Sequence, residues 1–134
     1  MKNLLCAVVF LALFSFLASC SHNVREDLDQ TVVKYNDLVR WNEMGAASMF
    51  MPERLRDDFL ARANSMGNVR LIDYKIINVR YDEIQKKARV DVSIEYYLLS
   101  NYKAKKILAT EEWAFVEEHG VKGWMLMSPM PEMK

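Results

Sequence analysis

The sequence predicts an α+β domain in which two N-terminal helices pack on a strongly bent, four-stranded antiparallel sheet. Three observations predict it. Apolar residues recur at helical spacing between residues 24 and 67, and the period changes to two after Gly67. Four alternating segments then follow one another, separated by short polar connections. Short connections favour an antiparallel meander with one face against the helices.

The two helices are predicted over residues 24–44 and from Pro52 to Gly67, joined by a compact apolar link at 46–51. Gly45 is the expected stop of the first helix, because glycine readily adopts the left-handed conformation that ends helices. Pro52 suits the first position of the second helix, where a missing N–H costs nothing. The first apolar stripe consists of Leu28, Val32, Tyr35, Leu38, Val39 and Asn42.

The four strands are predicted over 69–81, 88–98, 105–117 and 124–128. In the first strand, the alternation changes phase near Leu71 and again near Ile76, which predicts β-bulges or strong bending. The second strand is the clearest, since its even-numbered residues are all apolar and its odd-numbered residues are polar up to Glu95. After the last strand, Met130 and Met133 stand beside prolines and are expected to form a flexible tail.

The N-terminal segment has the pattern of an export signal. Lys2 precedes an apolar run over residues 4–17, which is short for a membrane-spanning helix, and the run ends in Leu17-Ala18-Ser19-Cys20. This motif resembles the lipobox of bacterial lipoproteins. The resemblance implies cleavage before Cys20, diacylglycerol on its sulfur and often a further acyl chain, such as palmitate, on its amine. Two or three acyl chains would anchor the protein stably to a membrane.

The lipobox divides the chain into a signal peptide at 1–19, a lipidated tether at 20–26 and a single domain at 27–134. Ser21 follows the cysteine, which in a two-membrane organism implies an outer-membrane lipoprotein facing the periplasm. The alternatives are an ordinary secretory signal with a chance cysteine, or an uncleaved anchor.

The order of elements, the strand lengths and the terminal Gly123-Trp124 strand resemble the nuclear transport factor 2-like or cystatin-like group. The resemblance implies that a long helix lies in the concave face of a bent sheet. The chain departs from the first of these groups in lacking a strand signal between the early helices. Members include isomerases, dehydratases and binding or assembly domains, so the resemblance alone selects no function.

The concave face of such a sheet would form an apolar pocket, and Glu111 is the best candidate for an acid or base within it. Glu111 shares its alternation with apolar neighbours, and desolvation would raise its pKa. The alternative is a bulge at 110–112 that turns Glu111 to solvent. The predicted pocket lining is Tyr35, Trp41, Tyr96, Trp113 and Phe115.

Composition argues against several other functions. Lys+Arg and Asp+Glu both number 18, so there is no basic excess to bind nucleic acid. His22 and His119 have no Cys, His or Asp at ligand spacing, so no metal site is predicted from them. No phosphate-binding loop or other cofactor motif is present in the sequence.

Three hypotheses therefore remain. The first is a non-enzymatic envelope lipoprotein that binds a protein partner or a small apolar ligand. The second is a small isomerase- or hydrolase-type enzyme that uses Glu111 with Tyr35 or Tyr96 as acid and base. The third is copper binding through the thioethers of the pairs Met49/Met51 and Met125/Met127. On a strand, however, residues two apart simply share a face, and methionine is a common core residue.

Overall fold

The computed structural model describes residues 23–134 as three helices followed by four strands. The helices are α1 (Val24–Arg40), α2 (Met44–Ser48) and α3 (Glu53–Ser65). The strands are β1 (Val69–Asp82), β2 (Lys87–Leu98), β3 (Lys105–Glu118) and β4 (Val121–Leu126). The α+β class is confirmed, with a short third helix where a link was predicted. The predicted signal peptide at 1–19 and Cys20 lie outside the described residues.

An asparagine lies just outside each end of helix α1. The Asn23 side chain caps its start by accepting a hydrogen bond from the backbone N–H of Arg25 at 3.1 Å. The helix therefore begins at Val24, and residues 24–26 belong to it and not to a tether.

The predicted end of this helix at residue 44 is wrong. Asn42 has a φ of 61°, its N–H bonds to the Val39 carbonyl, and the Glu43 N–H reaches the Leu38 carbonyl at 2.8 Å. This is a Schellman motif with asparagine in the left-handed position, so Asn42 takes the part predicted for Gly45.

The strands form one antiparallel meander in the order β1-β2-β3-β4. The β1–β2 register shifts between Leu71 and Asp73 and again between Ile76 and Asn78, which confirms the two predicted irregularities. Strand β4 begins three residues earlier than predicted. His119 and Gly120 both have positive φ, 51° and 78°, and form a two-residue hairpin loop that brings Val121 opposite Glu118.

One face of the sheet is buried and the other carries mostly polar side chains. The buried face of β2 presents its even-numbered residues from Ala88 to Tyr96, as predicted. Helix α1 contacts this face through Tyr35, whose ring meets the Trp113 ring edge-on at 5.6 Å between centroids. Tyr35 also lies 6.1 Å from Phe50 and 6.4 Å from Phe59. These aromatic contacts thus join α1, α3 and the sheet around Tyr35.

The chain after β4 is part of the core. Met130 and Met133 are only 3 % and 5 % exposed and belong to the same hydrophobic cluster as α1 and the sheet. The predicted flexible tail is therefore wrong, because burial of two large thioether side chains outweighs the local effect of the neighbouring prolines. Among residues 23–134, no helix combines the length and apolarity needed to cross a membrane.

Candidate functional site

Glu111 is a buried carboxyl group on the inner face of β3. Its side chain is 7 % exposed, and β3 pairs with β2 in unbroken register, with Glu111 opposite Val90. The alternative of a bulge at 110–112 is therefore wrong. The regular pleat places Glu111 between Ala109 and Trp113 on the face that packs against α1.

Two side chains bind the two oxygens of this carboxyl group. The Asn36 Nδ2 atom donates to Oε1 at 2.9 Å, and the Trp113 Nε1 atom donates to Oε2 at 2.9 Å. Asn36 also donates to the Val32 carbonyl at 3.0 Å, one turn earlier in α1. The amide is thus held by its own helix while it binds the strand. We refer to Glu111, Asn36, Trp113 and Tyr35 as the Glu111 cluster.

Burial raises the pKa of Glu111 to about 7, because the charged form loses its hydration in the core. The hydrogen bonds from Trp113 and Asn36 act in the opposite direction, since both stabilise the carboxylate. The result is a group that holds or releases its proton close to neutral pH. A carboxyl group of this kind can donate a hydrogen bond when protonated and accept one when ionised.

Tyr35 is the neighbouring titratable group on α1. Its pKa is raised, first by burial and second by the negative charge of Glu111. The phenol therefore stays protonated throughout the physiological range. It supplies a hydroxyl group next to a carboxyl group whose charge varies.

Three members of the Glu111 cluster, namely Glu111, Asn36 and Tyr35, border a cavity of about 380 Å³. Apolar side chains from α1, β2 and β4 line part of it: Val39, Ile94 and Leu126. The segment 128–133 lines another part, with Met130, Met133 and two prolines among the contacts. The buried carboxyl group thus meets a mainly apolar space that is bounded by the last residues of the chain.

This C-terminal segment, residues 127–134, is fixed at both of its ends. At the first end, the Met127 N–H donates to the Glu112 carbonyl at 2.7 Å and the Glu112 N–H donates to Ser128 Oγ at 3.0 Å. At the other end, the Tyr96 hydroxyl donates to the main-chain oxygen of Lys134 at 2.9 Å. Lys105 Nζ donates to the same oxygen at 2.7 Å. Between these attachments, the methionines cover the cavity.

The five residues predicted to line one pocket are spread over several places. Tyr35 and Trp113 contact each other in the Glu111 cluster. Tyr96 is buried but is engaged by Lys134, and Phe115 packs on Trp124 with 5.7 Å between ring centroids. Trp41 is 70 % exposed and is not among the residues around the cavity. It follows the end of α1 and lies under the Arg40 guanidinium.

Asn36 is the site residue that the sequence analysis missed. It lies one turn after Val32, on the same buried stripe of α1. An isolated amide on an otherwise apolar helix face must find a partner inside the protein. An amide in the middle of the buried residues of α1 was the available signal, and it points to a polar partner on the facing strand.

The methionines that suggested copper do not group as the sequence pairs them. Met49 is 61 % exposed, whereas Met51 is buried. A groove of about 680 Å³ between α3 and the C-terminal segment is lined instead by Met51, Met66, Met127, Met130 and Met133. His119 lies in an exposed turn, with Nε2 2.9 Å from a carboxylate oxygen of Glu53.

The described part of the chain contains no group of three or more His, Cys, Asp and Glu residues arranged to hold a metal ion. The site with the most distinctive chemistry is the Glu111 cluster, where a buried carboxyl group and a phenol border a cavity that Arg62 and Glu132 also line. Comparison with known proteins adds no family to this picture, because no protein-family model and no curated protein matches the chain.

Proposed function

We propose that this chain is a lipid-anchored envelope protein whose domain binds a small apolar ligand with one hydrogen-bonding group. The observation that carries the proposal is the Glu111 carboxyl group, which is buried, hydrogen-bonded on both oxygens and placed at the edge of an apolar cavity. An ionisable side chain in the interior is costly, and groups whose pKa burial shifts strongly are found often at functional sites.

The size and chemistry of the cavity support a small ligand. Pockets for small molecules span roughly 300–1,000 Å³ and combine apolar walls with a few polar groups that fix orientation. The cavity has about 380 Å³ and one carboxyl group that titrates near pH 7. The ligand class is therefore a compact, mainly hydrocarbon molecule with one hydroxyl, carbonyl or amine group directed at Glu111.

A cavity-filling substitution tests this proposal. Ala109 lines the cavity beside Glu111, so Ala109→Trp should occupy the space and abolish binding of the apolar dye Nile red. Ile77→Trp places the same side chain at an exposed position of β1 and serves as the control. Binding that is equal in the two variants would contradict the proposal. Circular dichroism establishes that both variants are folded.

Membrane attachment is the second part of the proposal, and the lipobox motif supports it. Cys20 would carry diacylglycerol, and the domain would face the periplasm from the outer membrane. Intact-mass analysis of the membrane fraction tests this directly. The expected mass is that of residues 20–134 plus two or three acyl chains, and Cys20→Ala should abolish the modification. An unlipidated chain in both samples would overturn the anchor.

The same proposal includes membership of the nuclear transport factor 2-like or cystatin-like group. Support comes from N-terminal helices followed by a four-strand antiparallel meander and from two irregularities that interrupt β1. An experimental structure that shows α1 in the concavity of the sheet would support the assignment. A flat sheet would exclude it.

An enzyme is a second candidate, favoured by one observation. Tyr35 and Glu111 border the same cavity. The Glu111 pKa of about 7 suits a general base near neutral pH, whereas the raised pKa of Tyr35 keeps the phenol protonated, so that it can donate a hydrogen bond to a substrate. An isomerase- or hydrolase-type reaction would use this pair. Titration by NMR is the first test, since an ordinary Glu111 pKa near 4.5 would count strongly against a carboxyl group tuned for acid–base catalysis. Hydrolysis of p-nitrophenyl esters that is lost in both Glu111→Gln and Tyr35→Phe would favour the enzyme.

A further inference from the structure

The start of α1 lies at the end of the sheet where the β1–β2 and β3–β4 turns are found. The Trp124 indole of β4 donates to the Val24 carbonyl at 2.7 Å. The Arg25 guanidinium lies 5.3 Å from the centre of the Tyr81 ring, next to the end of β1. Two contacts to two different strands therefore fix the N-terminus of α1 at this end of the domain.

The first turn is held to β3 as well as to its own strands. Asp82 pairs with Lys87 at the end of β1, and Glu118 pairs with Val121 at the end of β3. Between the hairpins, the Phe115 N–H donates to the Lys86 carbonyl at 2.9 Å. We call the surface formed by residues 82–87, residues 118–122 and the first turn of α1 the anchor end.

Each turn of the anchor end presents an exposed aliphatic side chain. Ile84 is 96 % exposed and Val121 is 66 % exposed. The first turn is rigid, because Asp82 Oδ1 accepts hydrogen bonds from the N–H groups of Ile84 and Gln85 at 3.0 and 2.9 Å. Ile84 is thus held away from the protein by a structured loop. It contributes nothing to the core, and water covers it in the isolated domain.

The chain between the proposed lipid attachment and the anchor end is very short. Cys20 precedes Asn23, the cap of α1, by three residues, which reach about 10 Å when fully extended. We propose that the anchor end is a membrane-contact surface, with Ile84 and Val121 entering the interfacial region of the bilayer. This inference rests on the proposed lipidation of Cys20. The lipid would bring both side chains to the bilayer, so that weak apolar contacts suffice to orient the domain.

The contact is apolar and not electrostatic. In the first turn, Asp82 and Glu83 balance Lys86 and Lys87. In the second turn, Lys122 pairs with Glu117 at 3.7 Å. No excess of positive charge would select anionic lipids, so neutral headgroups should serve equally well. The partner is therefore the bilayer interface itself.

This orientation would also place the ligand cavity away from the lipid. Helix α1 has 17 residues and extends about 25 Å from the anchor end. The C-terminal segment is fixed near the opposite end of the sheet, by Tyr96 and Lys105 beside the β2–β3 turn. The segment that covers the Glu111 cavity would thus face the aqueous side of the envelope.

Depth-dependent fluorescence quenching tests the inference. The chain from Cys20 onward retains the described core, which spans Leu28–Met133, and Cys20 is its sole cysteine, so its thiol can be coupled to a maleimide lipid. Vesicles of phosphatidylethanolamine and phosphatidylglycerol with brominated acyl chains supply the quencher. Ile84→Trp reports on the anchor end. Tyr102→Trp is the control at the other end of the sheet, because Tyr102 is also exposed, at 72 %, in the opposite β2–β3 turn.

The three native tryptophans give a background, which the unsubstituted chain measures. Quenching above that background in Ile84→Trp, and none above it in Tyr102→Trp, is the expected result. Equal quenching at both positions, or none at position 84, would overturn the membrane-contact surface. Hydrogen exchange of the unmodified sequence gives a second measurement, in which tethering should protect residues 82–87 and 118–122. The maleimide lipid replaces natural lipidation, so the quenching experiment does not depend on whether cells attach lipid to Cys20. Intact-mass analysis alone decides the Cys20 proposal.

Discussion

The Asn36 amide and the Glu111 carboxylate, 75 residues apart in the chain, meet in the core through a 2.9 Å hydrogen bond. This bond joins the buried face of α1 to the middle of the sheet. It is a polar contact in a layer that is otherwise aromatic and aliphatic. The two groups can form this hydrogen bond only when α1 lies at one position along β3. The bond therefore also fixes that position.

The pKa of Glu111 predicts a pH-dependent stability. The folded state holds the proton up to about pH 7, whereas an unfolded glutamic acid releases it near pH 4.5. Stability from this group is therefore complete below pH 4.5 and is lost as the pH rises to about 7. The loss between pH 5 and pH 8 should be about 2–3 kcal/mol. Urea unfolding of wild type and Glu111→Gln at several pH values measures it, and parallel curves for the two proteins would contradict it.

Removing the Asn36 amide should raise the pKa of Glu111 further. In Asn36→Leu, the carboxylate loses a hydrogen-bond donor while its burial is unchanged, so the charged form is less favourable. A rise of about one pKa unit is expected from the worth of one hydrogen bond to a charged group. Carbon-13 NMR titration of the carboxyl group provides the value. Asn78→Leu, at an exposed position of β1, is the control, and an unchanged pKa in Asn36→Leu would refute the expectation.

Truncation of Met130 should destabilise the fold despite its place near the C-terminus. The side chain is buried in the core, so Met130→Ala is expected to cost about 2–4 kcal/mol through lost contacts and a new cavity. Met49→Ala removes the same atoms at an exposed position and should change stability by less than about 0.5 kcal/mol. Thermal unfolding measures both. Similar melting temperatures for the two variants would show that the segment is not packed.

Loss of the Tyr96 hydroxyl should loosen the C-terminal segment. Tyr96→Phe removes the bond to the main-chain oxygen of Lys134 and the bond that the hydroxyl accepts from the Lys134 N–H at 3.2 Å. Stability should fall by about 1 kcal/mol, and amide exchange in residues 129–134 should become faster. Tyr97→Phe changes the neighbouring side chain on the other face of β2 and should leave exchange as it was. Unaltered exchange in Tyr96→Phe would mean that Lys105 alone fixes the segment.

The strands were predictable because their signals are local. The alternation from Ala88 to Tyr96 marks one buried face, and the interruptions near Leu71 and Ile76 appear as shifts in register. The end of α1 was harder to predict, since Asn42 and Gly45 are both able to end a helix. Only the hydrogen bonds of the folded chain select Asn42.

The candidate site was predictable in one part only. The alternation of β3 made Glu111 a candidate for the inner face but left a bulge at 110–112 open, and only the unbroken β2–β3 register excludes that bulge. Its partner Asn36 comes from a distant helix, and no local pattern specifies such a pairing. The same holds for Met130 and Met133, because the sequence around them is typical of a loop and their burial depends on residues of the distant helices α1 and α3.

The meander order of the strands has a consequence for how quickly the protein folds. Every strand pairs with its neighbour in the chain, so the sheet can form hairpin by hairpin with little loss of loop entropy. Docking of α1 is different, because it joins distant residues and removes water from the Glu111 carboxyl group. We expect this step to follow formation of the sheet and to take up a proton below about pH 7, where folded Glu111 is protonated and an unfolded glutamic acid is not. Refolding should therefore slow as the solution becomes alkaline, with the slow phase belonging to the helix and not to the sheet.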